Sequence, residues 1–196
     1  MLGLCIGFLN FKLLKKDDSS FLNNEDVSPL KFTDKRVFPS LVIAAFLGVS
    51  NACIVLTSSL FVNDVILKST EDLYFFVSIG FAIVALSGLL TQLLIVDKYS
   101  FNPKSLVFIG LLLMSLVFYL LSNVNQIFSF YILLAIYGFG GGLARPGNVS
   151  ILSLSINKNE QGSASGLMGT VFPLGHLLTP FSVSYTHLTL PTNSRV

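Results

Sequence analysis

Five stretches of this chain, at about residues 38–62, 73–96, 105–122, 128–156 and 163–182, have the length and apolarity that a bilayer core demands. A helix needs about 20 apolar residues to cross roughly 30 Å of hydrocarbon, and each backbone N–H and C=O within it must be bonded inside the segment. Neither a strict alternation nor a polar stripe occurs in these runs, which predicts helices apolar all round and argues against barrel strands. The expected fold class is all-α, a polytopic membrane helical bundle. Composition agrees: 53% of residues are hydrophobic and 11% charged, with a mean hydropathy of +0.77, whereas a soluble domain carries about a quarter charged residues.

Residues 1–14 form a shorter apolar run, followed rather than preceded by Lys12, Lys15 and Lys16, the wrong order for a signal peptide. The run reads as the end of a preceding transmembrane helix. Residues 15–37 are polar and of mixed charge, the chemistry of a linker. With Arg195 set aside, six of the basic residues surround that linker (Lys12, Lys15, Lys16, Lys31, Lys35, Arg36), Lys98 and Lys104 follow the second span, and Arg145 and Lys158 lie at or near the fourth connection. Only Lys68 falls on the other side, so ten against one place the linker and alternate loops in the cytoplasm. A net charge of +2 with scattered basic residues offers no face for nucleic acid. Cys5 and Cys53 lie within apolar runs and read as small hydrophobes, with neither a disulfide nor a metal site expected.

From Val183 the text turns abruptly to Thr, His, Pro and Asn: VSYTHLTLPTNSRV. This resembles one translated frame of a common transposase sequencing adapter. Residues 183–196, His187 included, are therefore set aside from fold and function as a non-native tail. On that reading the native chain continues beyond about residue 182.

The fourth run holds Gly138, Gly140, Gly141, Gly142 and Gly147, with Pro146, inside ten residues. In water this would be a loop. In a bilayer, glycine bares a helix face so that a neighbour can approach, and Gly138 and Gly142 have the small-xxx-small spacing that does so. Pro146 removes one donor from the helix ladder and permits a kink. The patch serves either as static close packing or as a pivot between repeats that rock.

The following stretch, NEQGSASGLMGTVFPLGHLLTP, resembles the loop and eleventh helix of major facilitator drug and proton antiporters, through Glu160, Gln161 and Gly162 at the helix mouth, Gly166 and Leu167, a mid-helix Gly175 and a closing Pro180. The preceding helix with Arg145 and Pro146 is similar to the tenth helix of the same group, which includes tetracycline and multidrug efflux pumps. The resemblance implies that residues 38–182 are the C-terminal half-domain of a 12-helix transporter, five full helices plus the end of a sixth, in a bacterial inner membrane. It also implies a small-molecule substrate, protons as coupling partner, and a missing N-terminal half of the same chain. Family members carry a gate motif between helices eight and nine. Asp97, Lys98 and Lys104 hold its acid and bases here, without the expected glycines, and Asp97 is the candidate gate residue. Gly138, Gly142, Pro146, Gly162 and Gly166 are candidates for helix packing.

Strongly polar groups at membrane depth are costly and mark candidate transport-path residues. Arg145 either lines the cavity, meeting an anionic substrate group or a carboxylate of the missing half, or snorkels to the inner interface. His176 either serves proton coupling or stays neutral and bonds across helices. Asn51 and Gln92 can bind substrate or bridge helices. No carboxylate lies deep in any run, since Asp64, Glu71 and Asp72 fall in an outer loop and Asp97 and Glu160 at inner ends. The expected function is secondary active transport, proton-coupled efflux of small amphipathic compounds by alternating access, with a facilitator or importer of an organic anion as the alternative. No cofactor, metal or covalent chemistry is expected, because no cluster of catalytic or ligating residues shares one depth. Reporter fusions at Lys31 and Lys158 should mark the same, cytoplasmic face, and one at Lys68 the opposite face.

Overall fold

Short polar and proline-bearing turns write the helix starts. The computed structural model describes the backbone of residues 30–62, 73–96, 98 and 101–189, and the side chains of these except at 60 and 178–189. The Asp34 carbonyl accepts hydrogen bonds from the amides of Val37 and Phe38 at 3.1 and 2.9 Å. Pro39 sits in the first turn, where its missing donor costs nothing, and α1 runs over Phe38–Phe61. Helix α2 occupies Leu73–Thr91 and passes into a π-helical turn, Gln92–Val96. The Asn102 side chain accepts from the Lys104 amide at 3.0 Å, Pro103 takes the first helical position, and α3 runs over Pro103–Leu121. Helix α4, Ile127–Leu154, continues through Pro146. Asn157 and Glu160 then form a reciprocal capping box over a 3₁₀ turn, Lys158–Glu160, which opens α5 at Gln161–Thr189.

Every element among the described residues is helical, as the apolar runs require. Among the described residues four helices are long and apolar enough to cross a membrane, at Phe38–Ser59, Leu73–Val96, Pro103–Leu121 and Ile127–Leu154. That is one fewer than the five expected spans. The fifth forms a helix, but its Gly, Ser, Thr, Pro and His residues dilute its apolar content. It also runs past 182 to Thr189, so part of the stretch set aside as a foreign tail continues the helix. Thr, Ser and His lower helix propensity by only tenths of a kcal/mol each, too little to stop it. Residues 1–14, most of the linker and Asp97 lie outside the described residues.

Helix α4 is the hub, packing broadly against α2 and α3 and more narrowly against α1, whose main partner is α5. Bulk lies on both sides, with Phe130, Leu134 and Tyr137 of α4 buried. Tyr74, Phe108, Phe128 and Leu154 point outward, each at least two-thirds exposed, while glycines line the seams. A Cβ built on Gly142 would stand 2.7 Å from the Gly88 carbonyl oxygen and 2.9 Å from the Thr91 Cβ, and one on Gly138 would overlap the Val84 backbone. Gly110 and Gly140 meet in the same way between α3 and α4, as do Gly48 and Gly175 between α1 and α5. Lipid tails are as apolar as leucine, so van der Waals contact between bare backbones, with a few hydrogen bonds, holds such a bundle. Two of those bonds tie α2 to α4: Ser87 Oγ donates to the Ala135 carbonyl at 2.6 Å and the Tyr131 hydroxyl to the Phe76 carbonyl at 3.0 Å. Gly162 and Gly166, also expected to pack, have nothing within 4 Å of a built Cβ among the described residues. They sit on a face of α5 that no described helix covers.

Gly142→Val should therefore overpack the α2 and α4 seam by about 1–3 kcal/mol. Thermal unfolding in detergent should show a clear loss of stability, whereas Gly162→Ala should leave stability unchanged or slightly raised.

Candidate functional site

A cavity of about 620 Å³ lies between α1, α4 and α5, walled by Ala44, Leu47, Val149, Leu152, Ala164 and Met168. Ser153, Ile156 and Gln161 line it at the end of the bundle that carries residues 30–37 and the α4 to α5 connection; Arg145, Asn148 and Phe172 line its deep end. From Gln161 to Phe172 the α5 wall rises about 16 Å at 1.5 Å per residue. The cavity thus extends along about three turns of α5.

Three of the four polar residues expected on a transport path meet at its deep end. Arg145 of α4 donates from Nη2 to Asn51 Oδ1 of α1 at 2.9 Å, and Asn51 Nδ2 lies 3.2 Å from His176 Nε2 of α5. The Arg145 guanidinium also sits over the Phe172 ring, 5.6 Å from its centroid, in cation–π contact, and that ring packs 5.7 Å from the His176 ring. One cation, one amide and one imidazole therefore form a chain across three helices, with an aromatic plate beneath. Gln92 does not join them: it starts the π-helical turn after α2 and is exposed.

Three groups that the sequence did not single out belong to the same region. Asn148 is buried, donates from Nδ2 to the Ser40 carbonyl at 3.0 Å, and leaves its own Oδ1 without a partner among the described residues. Tyr137 is buried beneath the cluster, with its hydroxyl 3.1 Å from Ser50 Oγ, one residue before Asn51. Phe172 supplies the plate. Their common signal, polar or aromatic residues one or two turns from Arg145, Asn51 or His176, is too frequent in a membrane helix to select them.

At the mouth, the linker end is fastened to the α4 to α5 connection. Arg36 donates from Nη1 and Nη2 to the two Glu160 carboxylate oxygens at 3.0 Å each, and from Nη2 to Asp34 Oδ2 at 2.8 Å. Glu160 also accepts the Asn157 amide at 2.9 Å, and the Leu30 amide donates to Ser163 Oγ at 3.0 Å. The Arg36 guanidinium, and then the backbone amide each accepts, hold both the Glu160 and Asp34 carboxyls below their ordinary values, while the two acids raise Arg36. Charge-assisted, two-pronged contact makes this the best-defined ion pair among the described residues.

A multi-pass helical bundle with a solute-sized cavity and a polar cluster at its deep end is the architecture of a membrane transporter. The family model described as Major Facilitator Superfamily matches residues 1–180, and the chain belongs to that superfamily. No curated protein and no solved structure matches the chain.

The carboxylates carry depressed folded-state values, so the clasp's contribution is complete above their unfolded values of 3.8 and 4.5 and fades as pH falls through the folded values. Spin labels at Lys31 and Lys158 should hold one distance between pH 5 and 8 and spread below about pH 4. Glu160→Gln, or high salt, should spread them at neutral pH.

Proposed function

We propose that this bundle is the solute-binding half of a secondary active transporter that carries small amphipathic organic anions by alternating access. The observation that supports this reading is Arg145, an exposed cation on the wall of a mostly apolar cavity, which makes no ion pair among the described residues. Its side chain has five N–H donors; one goes to Asn51, and the π face rests on Phe172. A cation held at membrane depth by neutral partners is costly. A carboxylate, sulfonate or phosphate monoester arriving from the cavity would relieve that cost and could engage the guanidinium in a two-pronged bond. The apolar walls suit the rest of such a solute, and about 620 Å³ suits a small organic molecule.

Rocking of this half against a second one would expose the cavity to either face in turn. Proton-driven efflux of neutral or cationic amphipathic compounds, which the antiporter resemblance implies, is the second reading. The apolar walls favour it equally, but Arg145 would repel a cation.

The test is transport of 2-naphthoate into liposomes holding the complete open reading frame. Arg145→Ala should raise KM at least tenfold, the loss of one charge-assisted bond of about 1.5–3 kcal/mol. Arg145→Lys should fall between, keeping the charge but not the fork. Unchanged naphthoate transport together with continued export of cationic dyes in Arg145→Ala would decide for the second reading.

A further inference from the structure

The bonding at the deep end of the cavity has a direction imposed by chemistry. A guanidinium carries donors and no acceptor, so the Asn51 atom 2.9 Å from Arg145 Nη2 is the carbonyl oxygen. The other arm of the same amide is then the NH₂ group, which can only donate. At 3.2 Å, His176 Nε2 must receive that bond through a lone pair. A neutral imidazole with a bare Nε2 carries its hydrogen on Nδ1. Nδ1 is buried and has no partner among the described residues.

Two rearrangements are thereby excluded while Arg145 stays on Asn51. A proton on Nε2 would point at the Asn51 NH₂, donor against donor. Turning the amide over to receive that proton would aim the NH₂ at the Arg145 guanidinium, again donor against donor. The other charged and titratable groups around His176 do not change this. From α4 these are Arg145 itself and Tyr137, whose hydroxyl engages Ser50; from α1 the group is Cys53, next to Tyr137. No described carboxylate lies in the cluster.

We propose that Asn51 is a positioning residue that links the proton on His176 Nε2 to the occupancy of Arg145, an inference that rests on the organic-anion reading. An anionic group seated two-pronged on Arg145 through Nη2, the donor that Asn51 now holds, frees the Asn51 oxygen. The amide turns, Oδ1 faces His176, and Nε2 takes one proton from water in the cavity while Nδ1 keeps its own. The anion brings one negative charge and the proton one positive charge, so the cluster keeps its net charge. In a low-dielectric cavity a neutral addition costs far less than either ion alone. The solute and one proton then bind together, and the coupling device is an amide rather than a buried acid.

The measurement is ¹⁵N NMR of His176 in the full chain in lipid nanodiscs at neutral pH, its signal assigned by its absence from His176→Asn. Without anion, the imidazole should be the neutral form with hydrogen on Nδ1 and none on Nε2. Saturating 2-naphthoate should convert it to the doubly protonated form. Asn51→Leu, which removes the amide but leaves the Arg145 guanidinium, should bind naphthoate without converting His176 to the doubly protonated form, a loss of coupling that a merely structural bridge would not give. Hydrogen on Nε2 in the anion-free protein overturns the proposal, as does a bare Nε2 with naphthoate bound to the unsubstituted chain. Those results leave the anion reading standing. Absence of saturable, Arg145-dependent naphthoate binding overturns that reading and the coupling with it.

Discussion

The structure depends on the bareness of one helix. Because water is excluded from lipid, α4 gains nothing by hiding apolar side chains, and its cohesion comes from atoms brought close together. Gly138, Gly142 and Gly140 let α2 and α3 approach its backbone from two sides, closely enough that a methyl group at Gly142 would collide with a neighbouring carbonyl. A leucine-rich α4 would stand off from both neighbours and lose much of that contact. Many bulky Phe, Tyr and Leu side chains stand on the outer surface, where lipid receives them without penalty, while Phe130, Leu134 and Tyr137 of α4 fill the core.

The cavity follows from this hub. With α2 and α3 occupying two sides of α4, its remaining face looks toward α1 and α5, which are joined at their own glycine pair, Gly48 and Gly175. That geometry brings Arg145, Asn51 and His176 to one depth and sets Phe172 beneath them. Membership of the Major Facilitator Superfamily makes the whole a membrane transporter. Near the mouth, Arg36 grips Glu160 and Asp34 in a contact that water and salt can reach. Such a pair contributes little to stability but defines where the linker end rests.

Much of the fold was legible in advance because it rests on local features. The apolar runs, the Pro39 and Pro103 starts, and the box formed by Asn157 and Glu160 need only near neighbours in sequence. Among the described residues four of the five expected runs are long and apolar enough to span, and the fifth forms a helix, rich in small and polar residues, that packs against α1. For the site, residue type picked out Arg145, His176 and Asn51 as polar groups within apolar runs. It could not show that Gln92 stands apart, or that Asn148 and Tyr137 lie close by. Spacing alone treated Gly138, Gly142, Gly162 and Gly166 as equals, although only the first two meet a neighbouring backbone.

Sequence by itself thus determined the helical class, the positions of the helices and the identity of the few polar groups that the apolar runs carry. Only the tertiary structure decided which of those groups meet, since Asn51 lies 94 residues from Arg145 and 125 from His176 along the chain. The physical reason is rotational. In a soluble helix a polar stripe marks the outer face and so fixes its rotation about its axis, but a helix apolar on every face carries no such mark. Its rotation is set by where glycines admit a neighbour, and that is a property of two surfaces in contact.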